Sequence, residues 1–176
     1  MKKFLSLFAC AAMLLAFTGC GSDDDSSDAG QPSLEWTANP DFSTTEITSN
    51  MSVVIKANVP NGIKSFTIKV ESPCTGFISA VNALIGISAN KSDTAPVLDL
   101  INDPSVVIAL AQLSVPTGTS LKNKTDVTMD LSSLVPMIGL LQPGANTNHV
   151  FTLTLVDNNG HTLTKAVTFH YAGIPS

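Results

Sequence analysis

Two stretches of alternation, His149–Asp157 and Thr162–Tyr171, flank Asn158-Asn159-Gly160 and restrict this chain more than any other feature. A side-chain period of two puts Phe151, Leu153 and Leu155 on one face of a strand, and Val167, Phe169 and Tyr171 on one face of the next. Asn-Gly is the favoured dipeptide of a type I′ turn, so the stretch predicts a hairpin. One apolar face must be covered by another layer for such a hairpin to persist in water. Lys165 falls on the apolar side. This predicts either a bulge or an inward charge that blunts a strand edge.

Further strands precede it. Leu34–Trp36 opens the ordered part, with Trp36 facing inward, and Thr44–Thr48 favours extended backbone. Ser52–Asn58 is a strand with Val53, Ile55 and Ala57 on one face. Phe66–Glu71 alternates with Phe66, Ile68 and Val70 inward. Pro60-Asn61-Gly62 lies between them as a turn, because Pro pre-sets φ and Gly accepts φ > 0. The pair therefore predicts a second hairpin.

The middle changes period. Phe77, Ile78, Val81, Leu84 and Ile85 recur at helical spacing. Pro96 is placed to open a short helix through Val97, Leu98, Leu100 and Ile101. Asp103-Pro104 restarts a helical run through Leu113, which Val115-Pro116-Thr117-Gly118 ends. Thr125–Asp130 returns to alternation, and Leu131–Leu141 reads as a short helix capped by Asp130 or Ser132 and stopped by Pro143-Gly144. The helical apolar stripe is either a lid on the open face of the sheet or a greasy binding groove, and a lid is the commoner use.

The N-terminus speaks to location. Lys2 and Lys3 precede an apolar run from Phe4 to Phe17, the pattern of a secretory signal peptide. The run is shorter than the ~20 residues that span a bilayer as a helix. Phe17-Thr18-Gly19-Cys20 resembles the lipobox of bacterial lipoproteins, with Phe17 where that family usually has Leu. The resemblance implies a signal over residues 1–19, cleavage before Cys20 and lipidation of Cys20. Several acyl chains, each CH₂ contributing about 0.8 kcal/mol on burial, would then hold the protein on a membrane. Ser22, Asp23, Asp24 and Asp25 resemble the acidic export signal that sends lipoproteins of the Bacteroidota to the outer face of the outer membrane. A solvated acidic linker is the alternative reading of the same residues. The composition of 20–32 cannot bury enough surface to fold, so it reads as a flexible tether.

Val156-Asp157-x-x-Gly160, with the strands at 52–71 and 149–171, resembles a hairpin of the immunoglobulin-like sandwich domains in Bacteroidota surface lipoproteins. The resemblance implies a mainly β fold, an immunoglobulin-like antiparallel β-sandwich over residues 33–176; the helical middle at 77–141, read as helical insertions between the central strands, departs from that family. Removing residues 1–19 from 176 leaves 157, a length that suits one domain with a real core.

Composition narrows the function. The chain has no arginine, and beyond the signal only seven of its nine lysines remain against fourteen acids. Nucleic-acid binding is set aside on that ground, because phosphate contacts need clustered cations. With Cys10 in the signal and Cys20 on lipid, Cys74 lacks a disulfide partner and reads as a half-buried small hydrophobe. His149, His161 and His170 lie on or near the last hairpin without further ligands at metal spacing, and read as solvated strand residues. Asp157-Asn158-Asn159-Gly160 is turn chemistry, not a calcium loop. No nucleophile motif or phosphate loop is present. The expectation is a non-catalytic, lipid-anchored binding protein with no cofactor, no metal and a protein or glycan partner at the cell surface. Its alternatives are an accessory subunit of an outer-membrane complex and a glycan-active hydrolase with two carboxylates in a cleft.

Overall fold

Alternating burial along the chain builds the strands of the computed structural model, which describes residues 30–86, 94–132, 134–140 and 144–173. In chain order these are β1 (Ser33–Trp36), β2 (Thr45–Glu46), β3 (Val54–Asn58), β4 (Ile63–Glu71), β5 (Val97–Asp99), β6 (Asp126–Asp130), β7 (Thr147–Asp157) and β8 (Thr162–Tyr171). Helices α1 (Thr75–Leu84), α2 (Pro104–Gln112) and the short α3 (Met137–Leu140) lie between β4 and β5, β5 and β6, and β6 and β7.

The fold is mainly β, with two sheets in an arrangement consistent with a sandwich. One sheet runs β1-β3-β6 and the other β2-β8-β7-β4-β5. Every pair is antiparallel except β2–β8, which is parallel through Thr45↔Phe169 and Glu46↔His170. The all-antiparallel expectation therefore fails at that edge. Trp36 of β1 joins the two layers. Its ring packs 5.9 Å from Phe169 and 6.2 Å from Phe42, and its Nε1–H donates to the Ser52 carbonyl. Ile55, Phe66, Met129 and Leu155 fill the interior around it. Burying each such side chain contributes about 1.5–3 kcal/mol.

The expected hairpin around Pro60-Asn61-Gly62 does not form. β3 pairs with β1 and β6, whereas β4 pairs with β5 and β7, so the turn carries the chain from one sheet to the other. Two strands with inward apolar faces satisfy a sandwich corner as well as a hairpin, and here the corner's partners decide. Val59 and Ile63 N–H donate to the Thr125 and Lys124 carbonyls, and the Asn61 amide donates to the Gly30 carbonyl and the Asp157 carboxylate. Gly62 takes φ +76 against Asn158 and Asn123, where no Cβ fits.

The last hairpin does form, in continuous register from Thr147↔Tyr171 to Val156↔Thr162. Its turn is not type I′, which needs positive φ at both central residues; of Asn158, Asn159 and Gly160 only Gly160 has one, at +91. The buried Asp157 carboxylate instead collects the N–H groups of Asn159 and His161 and shapes the loop. Lys165 sits without a bulge, its Nζ 5.8 Å from the Phe42 ring centroid. It occupies the part of β8 that β2 leaves unpaired, where an inward charge blunts an edge.

Pro96 does not open a helix. Val97–Asp99 pairs with Thr67–Lys69 as β5, because the open edge of β4 offers a ladder that outweighs local helical spacing. The helix starts later, at Pro104, where the Asp103 side chain accepts from Ser105 and Val106 N–H. Its end is a full Schellman closure, with Val115 N–H donating to the Leu110 carbonyl and Ser114 N–H to that of Ala111. Ser114 occupies the left-handed position at φ +61. The Leu131–Leu141 run turns first and becomes helical only at Met137. Asp130 and Ser132 are drawn elsewhere: Asp130 accepts from Ser132 N–H, and Ser132 Oγ accepts from Val53 N–H. The stop expected at Pro143 lies outside the described residues.

Candidate binding site

Three strands cannot cover the inner face of five, and the uncovered part is where the helices lie. Between them and the sheet is an apolar cavity of about 240 Å³. Its floor comes from four adjacent strands: Leu98 of β5, Ile68 and Val70 of β4, Phe151 and Leu153 of β7, and Val167 and Phe169 of β8. Val53 and Ile55 close it from the other sheet. Phe77, Ala80 and Val81 of α1, Leu110 of α2, and Leu134 and Val135 before α3 form the roof. Among the described residues, the lining is apolar throughout. The floor is buried apart from half-buried Phe151, whereas Ala80 and Leu113 line the cavity and are exposed, which places its mouth between α1 and the end of α2.

A chain of polar groups stands behind the Phe77 wall. His149 is fully buried, with its ring edge-on to Phe77 at 5.5 Å between centroids. The solvated reading therefore fails for His149, because α1 and its leading segment fold over this end of β7. Thr147 Oγ donates to the Gly144 carbonyl, which only accepts, so His149 Nε2–H is the donor to Thr147 at 3.2 Å. Burial holds the imidazole below the ordinary histidine range, and neighbouring His170 adds to the effect. Neutral Nδ1 then accepts from the Ser72 hydroxyl at 2.8 Å, and Ser72 Oγ accepts from Cys74 N–H. Each of these groups is hydrogen-bonded within the chain. Cys74 itself caps α1, its Sγ accepting from Phe77 N–H.

The other two histidines meet carboxylates. His170 Nδ1 lies 2.6 Å from Glu46, and His161 Nδ1–H donates to Asp157 at 2.8 Å. Burial alone would raise the Asp157 carboxyl. The hydrogen bonds from Asn61 and His161 overcome this and hold it at about 2. A second, polar concavity of about 260 Å³ lies over the three-stranded sheet, lined by Glu35, Lys56, Asn58 and Asp126 among others.

Among the described residues, no group of three or more His, Cys, Asp or Glu is placed to hold a metal, and no helix is long and apolar enough to cross a membrane. Cys20, Ser22, Asp23, Asp24 and Asp25 lie outside the described residues. The cavity had a sequence signal in the helical apolar residues from Phe77 on. The Ser72–His149 pair had none, its members being 77 positions apart. No protein-family model, curated protein or solved structure matches this chain.

Proposed function

We propose that this chain is a lipid-anchored binding protein displayed on the outer face of a bacterial outer membrane, and that it holds a ligand without transforming it. The observation that carries the reading is the cavity, a concave site walled by apolar side chains, with the neighbouring polar groups consumed by one another. Such a wall supplies burial and shape, but no acid, base or nucleophile. Lipidation at Cys20, with Ser22 and Asp23–Asp25 as the export signal, supplies the location.

The domain is read as immunoglobulin-like. The sheet order β1-β3-β6 against β2-β8-β7-β4-β5 fits the A-B-E and G-F-C order of that sandwich, with β3 to β4 as the sheet-crossing corner and β7 to β8 as the final hairpin. In this reading the helices are insertions, α1 and α2 on either side of β5 and α3 between β6 and β7. A second reading, an accessory subunit, is favoured by Ile108 at 62 % exposure, with Val97 and Leu113 also exposed.

Cell fractionation tests the anchor: Cys20→Ser is expected to move the protein from membranes to the soluble fraction, and retention on membranes would sink the reading. Replacing Asp23–Asp25 by Ala is expected to abolish protease accessibility on intact cells without unfolding the domain. Cross-linking on cells separates the two readings, because a stoichiometric protein partner favours the accessory subunit.

A further inference from the structure

We infer that the cavity under α1 and α2 takes one unbranched alkyl chain of about ten carbons, an inference that rests on the binding-protein reading above. Size comes first. A 150 Å³ apolar cavity accommodates benzene, so about 240 Å³ scales to roughly ten carbons. Shape narrows the class. The floor residues run from Leu98 on β5 to Phe169 on β8, across three interstrand gaps of about 4.8 Å, a reach of about 14 Å. Spread over that reach, the volume leaves width for a single extended chain and not for a fused-ring body.

Chemistry points the same way. Among the described residues no polar side chain lines the cavity, and His149, Ser72 and Thr147 behind Phe77 are tied to one another. A polar head therefore stays outside, at the mouth beside Ala80 and Leu113, while the tail lies between the helices and the five-stranded sheet. The occupant is an amphiphile recognised by its tail. A free fatty acid or alcohol and the acyl chain of a membrane lipid both present that chemistry.

The test uses the full chain carrying Cys20→Ser, so that no attached lipid competes. Displacement of an apolar naphthylamine fluorophore is measured with hexanol, octanol, decanol and dodecanol. Affinity is expected to rise about fourfold per added carbon and to level off near decanol. Val81→Phe and Leu134→Trp each push a ring into the space, and are expected to weaken decanol binding at least tenfold while leaving the unfolding midpoint unchanged or higher. If either variant does not fold, the chain-length series on the parent still decides. Absence of saturable displacement, affinity independent of chain length, or binding unchanged in both folded fillers would overturn the inference. Uptake of decanoate from solution against uptake of acyl chains from phosphatidylethanolamine vesicles separates the two sources. A chain that reaches the cell surface through Cys20 yet takes no alkyl chain defeats this inference and leaves the surface-binding reading standing. Alkyl binding by a chain whose membrane attachment does not depend on Cys20 does the reverse.

Discussion

Acidification should weaken this fold through one residue, His149. The side chain is fully buried, neutral, and hydrogen-bonded on both nitrogens. Its pKa is lowered in the folded state by burial, then by His170. At pH 7.5 the imidazole is neutral in both native and unfolded chains. Below about 6.5 the unfolded chain takes up a proton that the native site refuses, so the unfolded state binds more protons and stability falls with pH. The slope this adds cannot exceed about 1.4 kcal/mol per pH unit, the limit for one proton. Protonation would also put a hydrogen on Nδ1, against the Ser72 hydroxyl that now donates to it. Urea unfolding followed by Trp36 fluorescence measures this directly, since Trp36 is the only tryptophan and is 2 % exposed. His149→Gln keeps a donor and an acceptor but does not titrate, and should lose that part of the slope. Asp157 does not blur the window: its contribution is complete above about 3.8 and is lost only as pH falls toward 2. A flat parent profile from pH 7.5 to 5.5, or an equal slope in His149→Gln, would refute the reasoning.

Local geometry yields three further expectations. Gly62→Ala puts a methyl 2.9 Å from Asn158 Nδ2 and 3.1 Å from the Asn123 carbonyl at φ +76, and should cost roughly 2 kcal/mol or more in urea unfolding. Ser114→Gly relieves a left-handed residue in the closure of α2 and should gain about 1 kcal/mol, seen as a higher midpoint. Asp103→Ala removes the cap accepted by Ser105 and Val106 N–H, and should lower stability by about 1 kcal/mol in the same assay.

Strand faces were legible in the sequence because a period of two survives any choice of partner. Val53, Ile55 and Ala57, like Phe66, Ile68 and Val70, are inward as their alternation requires. Partnership was not legible. The pattern at 52–71 is the same for a hairpin and for a sheet-crossing corner, and only remote groups on Thr125, Lys124 and Asp157 select the corner. Val97–Asp99 misleads for a similar reason, since its strand is decided by the edge of β4 and not by its own spacing. His149 departs from its solvated expectation because strand alternation says nothing of the Ser72 segment and α1 folding over the strand, Ser72 lying 77 positions away in the chain. The turn role of Asp157 is legible in the sequence, because a carboxylate two and four residues ahead of the N–H groups it accepts from acts locally.

The choice between lid and groove is the one that periodicity could not make, and the packing gives it a physical scale. An enclosed unfilled core volume costs about 24 cal/mol per Å³, so a space of about 240 Å³ with a mouth to solvent forgoes at most about 6 kcal/mol. That is comparable to the whole net stability of a domain, 5–15 kcal/mol in round terms. A plain lid would close it with larger side chains at Ala80 or Val81, where the helix already faces the gap. A ligand tail in the gap restores the missing contacts, and occupancy then appears as stability. At a hundredfold excess over Kd, decanol should add about 2.7 kcal/mol. For a chain of this size that raises the unfolding midpoint by about 5–10 °C. Butanol at the same concentration should leave the midpoint where it was. An equal response to the two alcohols would mean that the helices are a loosely packed lid and that the space beneath them holds nothing.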